Sequence, residues 1–142
     1  MRIFEHTHIV GFEETNLLGN VYFTNYFLWQ GKCREMFLRK HVPELMNDLS
    51  SGLYLATSRS NCEFLAEAFV FDEIVVRMKL NQVTQSRITM GFEYVRRKDG
   101  VEEVIARGEQ QVVCMRRSGD HVDVAEVPAN IMRALKYYQT EG

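Results

Sequence analysis

The sequence predicts an α+β fold in one domain: a single antiparallel sheet of about five strands wrapped around a long central helix. Three observations lead there. One apolar helical pattern spans residues 24–41, and four strand-like stretches follow it with no second long helix between them. The 142 residues suit one domain. A helix apolar over so much of its circumference needs cover on most sides, and a curling sheet supplies it.

The elements follow in order. Residues 2–10 alternate, with Ile3, Thr7 and Ile9 between Phe4, His6 and His8, as a strand with both histidines on one face. The polar, glycine-bearing FEETNLLGN reads as a loop. In the helix, Tyr26, Trp29, Cys33, Met36, Phe37 and Lys40 make a stripe that Leu28 and Leu38 widen, with Thr24 or Asn25 as the expected cap. Gly31 costs such a helix about 1 kcal/mol against alanine, so close packing against a neighbouring backbone is the expected motive. Pro43 ends the helix, and PELMNDL reads as a short helical turn. Strands are expected over 53–68, 74–83, 87–97 and 102–115, with Phe71-Asp72-Glu73 between the first two. Asp99-Gly100 is a hairpin signal. A short C-terminal helix is expected over 128–135, opening on Pro128. Edge-to-edge pairing of two sheets would remove an exposed strand edge.

Composition excludes several function classes. With 17 basic against 19 acidic residues the net charge is -2, which does not suit nucleic acid as the main partner. No apolar run approaches the ~20 residues of a membrane span, and no signal peptide is visible, so a cytoplasmic protein is expected. Cys33, Cys62 and Cys114 are far apart and make no CxxC, so no metal site and no cofactor are expected. Cys33 reads as core because no histidine is a convincing partner, and the His6/His8 pair lacks a third ligand.

Phe12-Glu13-Glu14-Thr15-Asn16-Leu17-Leu18-Gly19-Asn20-Val21, running into Tyr22-Phe23 and Asn25-Tyr26-Phe27, resembles the hotdog-fold thioesterases of the 4-hydroxybenzoyl-CoA thioesterase group. Their signature is roughly F-x-x-x-D-x-x-G-x-V-x-x-x-x-Y. Phe71-Asp72-Glu73-Ile74 and Arg107-Gly108-Glu109 extend the likeness over nearly the whole chain. The sequence departs from the signature at one place: the family's catalytic aspartate aligns with Asn16. The mid-helix stretch Gln30-Gly31-Lys32-Cys33-Arg34 offers no glutamate in its stead. Asparagine at the first position and arginine in the helix resemble the thioesterases of enediyne polyketide biosynthesis. Residues 19–26 and 61–67 are similar to that subgroup as well.

The resemblance implies release of a polyene β-keto or β-hydroxy acyl chain from the acyl carrier protein domain of an iterative polyketide synthase. It also implies a homo-oligomer, a dimer of dimers, with active sites between subunits. Asn16 cannot ionise, but it can orient water or hydrogen-bond a carbonyl. The backbone amide of Phe23, at the helix start, is expected to meet the developing oxyanion. Arg34 is expected to hold a β-oxygen, an enolate or a product carboxylate, unless it pairs with Glu35, Glu63 or Glu67. Asn20, Tyr26, Phe27, Trp29, Glu63 and Phe64 are the expected substrate contacts, and Glu63 and Glu67 are minor candidates for a general base. Phe23, Phe27, Phe64, Leu65, Phe69 and Met90 are available to line an acyl tunnel. Arg59, Arg87, Arg96, Arg97, Lys98, Arg116 and Arg117 are available to meet an acidic carrier protein. Two other readings stay open: an acyl-CoA thioesterase, and a hotdog module that binds acyl groups without catalysis.

Overall fold

A computed structural model describes residues 2–139. Its elements are β1 (Phe4–Ile9), a 3₁₀ turn (Phe12–Glu14), α1 (Thr24–His41), α2 (Leu45–Ser50), β2 (Leu53–Phe64), β3 (Glu73–Val83), β4 (Arg87–Lys98), β5 (Val101–Ser118), β6 (His121–Val124) and α3 (Ala129–Lys136). One antiparallel sheet runs β1-β3-β4-β5-β2, and β6 pairs with the end of β5. Bulges at Thr57/Arg59, Leu80/Gln82 and Tyr94/Val95 bend the long strands, which curls the sheet over α1. The Asp99-Gly100 turn has φ of 52° and 76°, the left-handed pair that a two-residue hairpin requires.

Five strands form the continuous path, and the exposed four-residue β6 adds a sixth at the end of β5. The strand expected to reach residue 68 ends at Phe64, because the Leu65 and Ala66 amides both turn to the Ile105 carbonyl.

Helix α1 buries Tyr26, Trp29, Cys33, Phe37 and Leu38 as expected, together with Gln30, a polar residue with no exposed surface. Leu28, placed on the buried face by its hydropathy, is 66% exposed. Lys40 is exposed too. Gln30 is satisfied on both sides: its Nε2 donates to the Asn61 carbonyl at 2.9 Å and its Oε1 accepts from Ser60 Oγ at 2.8 Å. It reaches β2 across Gly108, where a Cβ would meet Gln30 Nε2 at 2.6 Å and the Asn61 carbonyl closer still. Close packing therefore explains Gly108 and not Gly31, where a Cβ would meet nothing within 4 Å.

The expected cap is also corrected. Phe23 occupies the cap position in helical conformation without a side-chain cap bond. Asn25 instead donates its Nδ2 backwards, to the carbonyls of Glu14 at 2.9 Å and Tyr22 at 3.2 Å. Glu14 is the buried hub of this corner. Its Oε2 accepts from Trp29 Nε1 at 2.7 Å, and its Oε1 accepts from the Gly11 amide at 2.9 Å and lies 2.7 Å from His8 Nε2. An ionised carboxylate only accepts, so His8 Nε2 carries the hydrogen. His8 also stacks on Trp29. Among the described residues no cluster of metal-ligating side chains exists. Burial alone would raise the Glu14 carboxyl, but the bonds from Gly11, Trp29 and His8, with the His8 charge, outweigh it and hold the group below its ordinary value.

Two measurements check this frame. A carboxyl lowered on folding adds stability above its unfolded pKa and loses it as pH falls through the folded one. Urea unfolding of Glu14→Gln should therefore show a loss of about 1–3 kcal/mol at neutral pH that shrinks below pH ~4. Gly31→Ala should raise the unfolding midpoint, by up to about 1 kcal/mol, whereas Gly108→Ala should lower it.

Candidate active site

The chain leaves the 3₁₀ turn through Thr15, which pairs with Val21, so residues 16–20 form a closed loop. The Asn16 amide donates to the Asn20 carbonyl and the Gly19 amide to the Asn16 carbonyl. Gly19 has φ +88°, a left-handed conformation that favours glycine. Asn16 Oδ1 accepts from the Leu18 amide at 3.1 Å, an Asx turn that commits its oxygen and leaves its Nδ2 without a partner among the described residues. Leu17 and Leu18 at the tip are 105% and 89% exposed.

A cavity of about 290 Å³ opens beside this loop, lined by Asn16, Asn20, Val21, Tyr22, Phe23, Tyr26, Phe64, Ala66 and Glu67. Phe64 packs edge-on against both Phe23 and Tyr26. The Phe23 and Thr24 amides, at the positive end of α1, make no hydrogen bond among the described residues. Asn20 Nδ2 points to Glu67 Oε1 at 3.4 Å, and its Oδ1 is buried without a partner. Burial pushes the Tyr26 hydroxyl up to about 12, so it stays protonated.

Five of the expected site residues thus meet: Asn16, Asn20, Phe23, Tyr26 and Phe64. Four do not. Trp29 is core, bound to Glu14. Phe27 and Glu63 lie outside the cavity lining. Arg34 stands eleven residues beyond Phe23, about 16 Å along the helix axis. Phe23 and Phe64 are the cavity's share of the expected tunnel; Met90 instead borders a small apolar void beside Arg34, with Leu55 and Val112. Glu67 is the lining residue that sequence reasoning ranked low. Its signals were its place at the end of the family-like segment 61–67 and its carboxylate, a minor candidate for a general base.

Arg34 does not pair with Glu35, Glu63 or Glu67. Its Nη1 donates to Gln110 Oε1 at 2.8 Å and to Thr57 Oγ1 at 3.5 Å, and its Nε is buried without a partner. Burial lowers its pKa, against an opposing pull from Glu35. A cation held by two neutral oxygens keeps most of its charge unspent.

Chemically, the cavity offers hydrogen-bond donors on one wall and a single carboxylate on another. Such donors stabilise an oxyanion when a carbonyl is attacked. The comparisons agree with that chemistry. Residues 10–135 match the family model of the thioesterase-like superfamily. The dynemicin thioesterase, a protein studied in crystals for induced-fit and allosteric effects upon polyene binding, is 46% identical over 99% of this chain and 100% of that one, with a TM-score of 0.95. A protein of Aquifex aeolicus (strain VF5) named as an esterase is 30% identical, over 89% of this chain and 93% of that one. A 1,4-dihydroxy-2-naphthoyl-CoA thioesterase from Synechocystis shares the fold, with a TM-score of 0.83 at 20% identity over 95% and 96% of the two chains. The chain therefore belongs to the thioesterase-like superfamily and is a thioesterase of the hotdog fold.

Proposed function

We propose that this thioesterase releases a polyene β-keto or β-hydroxy acyl chain from the acyl carrier protein domain of an iterative enediyne polyketide synthase; a β-keto acid so released can decarboxylate. The observation that carries the proposal is the 46% identity, end to end, with a thioesterase that binds polyene. Asn16 stands where the group's signature has aspartate, which suits the same subgroup.

In this reading the thioester carbonyl sits at the start of α1. Its oxygen accepts from the free amides of Phe23 and Thr24, and from Asn16 Nδ2, whose direction the Leu18 turn fixes. Tyr26 and Phe64 flank the acyl chain, and Asn20 holds the loop side. Each oxyanion donor is worth about 3–4 kcal/mol in the transition state, and a thioester needs less help than an amide.

Arg34 enters from a second subunit. Within one chain it is too far from Phe23 to hold a β-oxygen. Strand β2 is an edge strand whose segment Thr57–Asn61 is exposed, and Arg34 lies directly behind Thr57. Antiparallel pairing of β2 with its two-fold copy runs the Leu53 end of one strand toward the Phe64 end of the other. That brings one Arg34 toward the partner's cavity, as hotdog dimers would require. Pairing of two such dimers gives the expected tetramer.

The carrier protein meets a narrower surface than composition suggested. Arg59, Arg96 and Arg97 are paired to carboxylates of Glu109, Glu103 and Glu102 within the chain. Arg87, Arg116 and Arg117 sit together at the end of the sheet where β4 begins and β5 ends, without carboxylate partners among the described residues. The β2 pairing carries that basic end toward the partner's cavity.

The protein should release free acid or methyl ketone from a carrier-bound polyene, followed by mass spectrometry, and do so faster than from acyl-CoAs. Equal turnover of acyl-CoAs would favour a CoA thioesterase; inertness toward both would overturn the assignment. Asn16→Ala and Arg34→Ala should each cut turnover by about 10²-fold with the fold intact by circular dichroism. Phe23 has φ -56°, which proline accepts, and its amide has no partner to lose. Phe23→Pro should therefore fold, yet turn over about 10²-fold more slowly than Phe23→Ala, the difference being the one donor.

A further inference from the structure

The proposed reading leaves one step without a residue: something must take a proton from the attacking water. Asn16, Asn20 and the helix amides cannot, and Tyr26 is held protonated. Glu67 is the one carboxylate among the residues lining the cavity.

Its surroundings leave that carboxylate free. Arg96, the nearest cation to be expected as its partner, spends its guanidinium on Glu103 and on Asp72 at 3.5 Å. Arg96 Nη1 does donate to residue 67, but to the backbone carbonyl, at 2.6 Å. The bond therefore fixes the main chain and leaves the side chain unclaimed. Among the described residues the single hydrogen bond to the Glu67 side chain is the long 3.4 Å approach of Asn20 Nδ2. Beside it Asn20 Oδ1 is buried with no donor. Glu67 itself is exposed, so water reaches the carboxylate oxygen that Asn20 leaves free, and a carboxylate can accept its proton.

We propose that Glu67 is the general base of the hydrolysis, with the Asn20 amide orienting its carboxylate; this rests on the thioesterase site described above. Glu67 takes one proton from the water as the water oxygen bonds to the thioester carbonyl carbon. The carbonyl electrons move to the oxygen, held by Asn16 Nδ2 and the Phe23 and Thr24 amides. The intermediate collapses, the C–S bond breaks with its electron pair going to sulfur, and the proton on Glu67 passes to that sulfur. The products are a carboxylic acid and a thiol, and Glu67 is again a carboxylate.

The test uses the full chain and the decanoyl thioester of N-acetylcysteamine, with thiol release followed by absorbance. Glu67→Gln keeps an acceptor for Asn20 and removes only the charge. It should lower kcat by about 10²-fold or more, leave KM within about threefold, and abolish the acidic limb of the kcat/KM profile. Glu67→Ala should regain part of its rate with added formate, an answer that a merely structural glutamate would not give. Wild-type kcat and an unchanged pH profile in Glu67→Gln would overturn the proposal, as would a rise in KM alone. Failure of the wild-type protein to release thiol, from this thioester or a carrier-bound one, would instead remove the site reading on which the proposal rests.

Discussion

The Glu14 carboxylate ties together the three pieces that the site requires. Its two oxygens bind β1 through His8, the start of the 3₁₀ turn through Gly11, and α1 through Trp29. Its carbonyl binds the Tyr22 amide and the Asn25 side chain, where the loop returns to the helix. The residues between are therefore clamped at both ends by one amino acid. Buried ionised groups cost several kcal/mol unless their lone pairs are filled, and here they are filled. The loop that carries Asn16 hangs from this point, so its position relative to the free amides of α1 is set before any ligand arrives.

That arrangement sorts the cavity by polarity. Donors come from the loop and the start of the helix, and the acceptors of Asn20 and Glu67 lie in the same cavity. Hydrolysis of an activated acyl group needs both in one place, with the donors where charge develops and the acceptor where a proton leaves. The rings of Phe23, Tyr26 and Phe64 pack edge-on and give the space between an apolar floor.

Much of this was legible in the amino-acid sequence, and what was not has a physical reason. The apolar spacing of Tyr26, Trp29, Cys33 and Phe37 marked α1 because burial repeats with the helical period. Asp99-Gly100 marked its hairpin because few other residues accept that turn. Asn16 and Phe23 were legible through family likeness, and the structure brings them to one cavity. Gln30 and Glu14 were illegible as buried residues, since their partners come from distant strands and hydropathy places them outside. Leu28 misled in the opposite sense: its hydropathy placed it on the buried stripe, and the sheet leaves it exposed. Arg34 was legible as unusual, but its position relative to Asn16 is a three-dimensional fact.

The Asx turn at Asn16 has a consequence for what this corner of the fold tolerates. With its oxygen spent on Leu18, residue 16 presents nitrogen to a space that already holds the Glu67 carboxylate. An aspartate there would present a second negative charge to the same cavity, and like charges close together disfavour each other's ionised forms. The amide that looked like a missing catalytic group spares this corner that repulsion and keeps a hydrogen-bond donor, which an ionised carboxylate lacks.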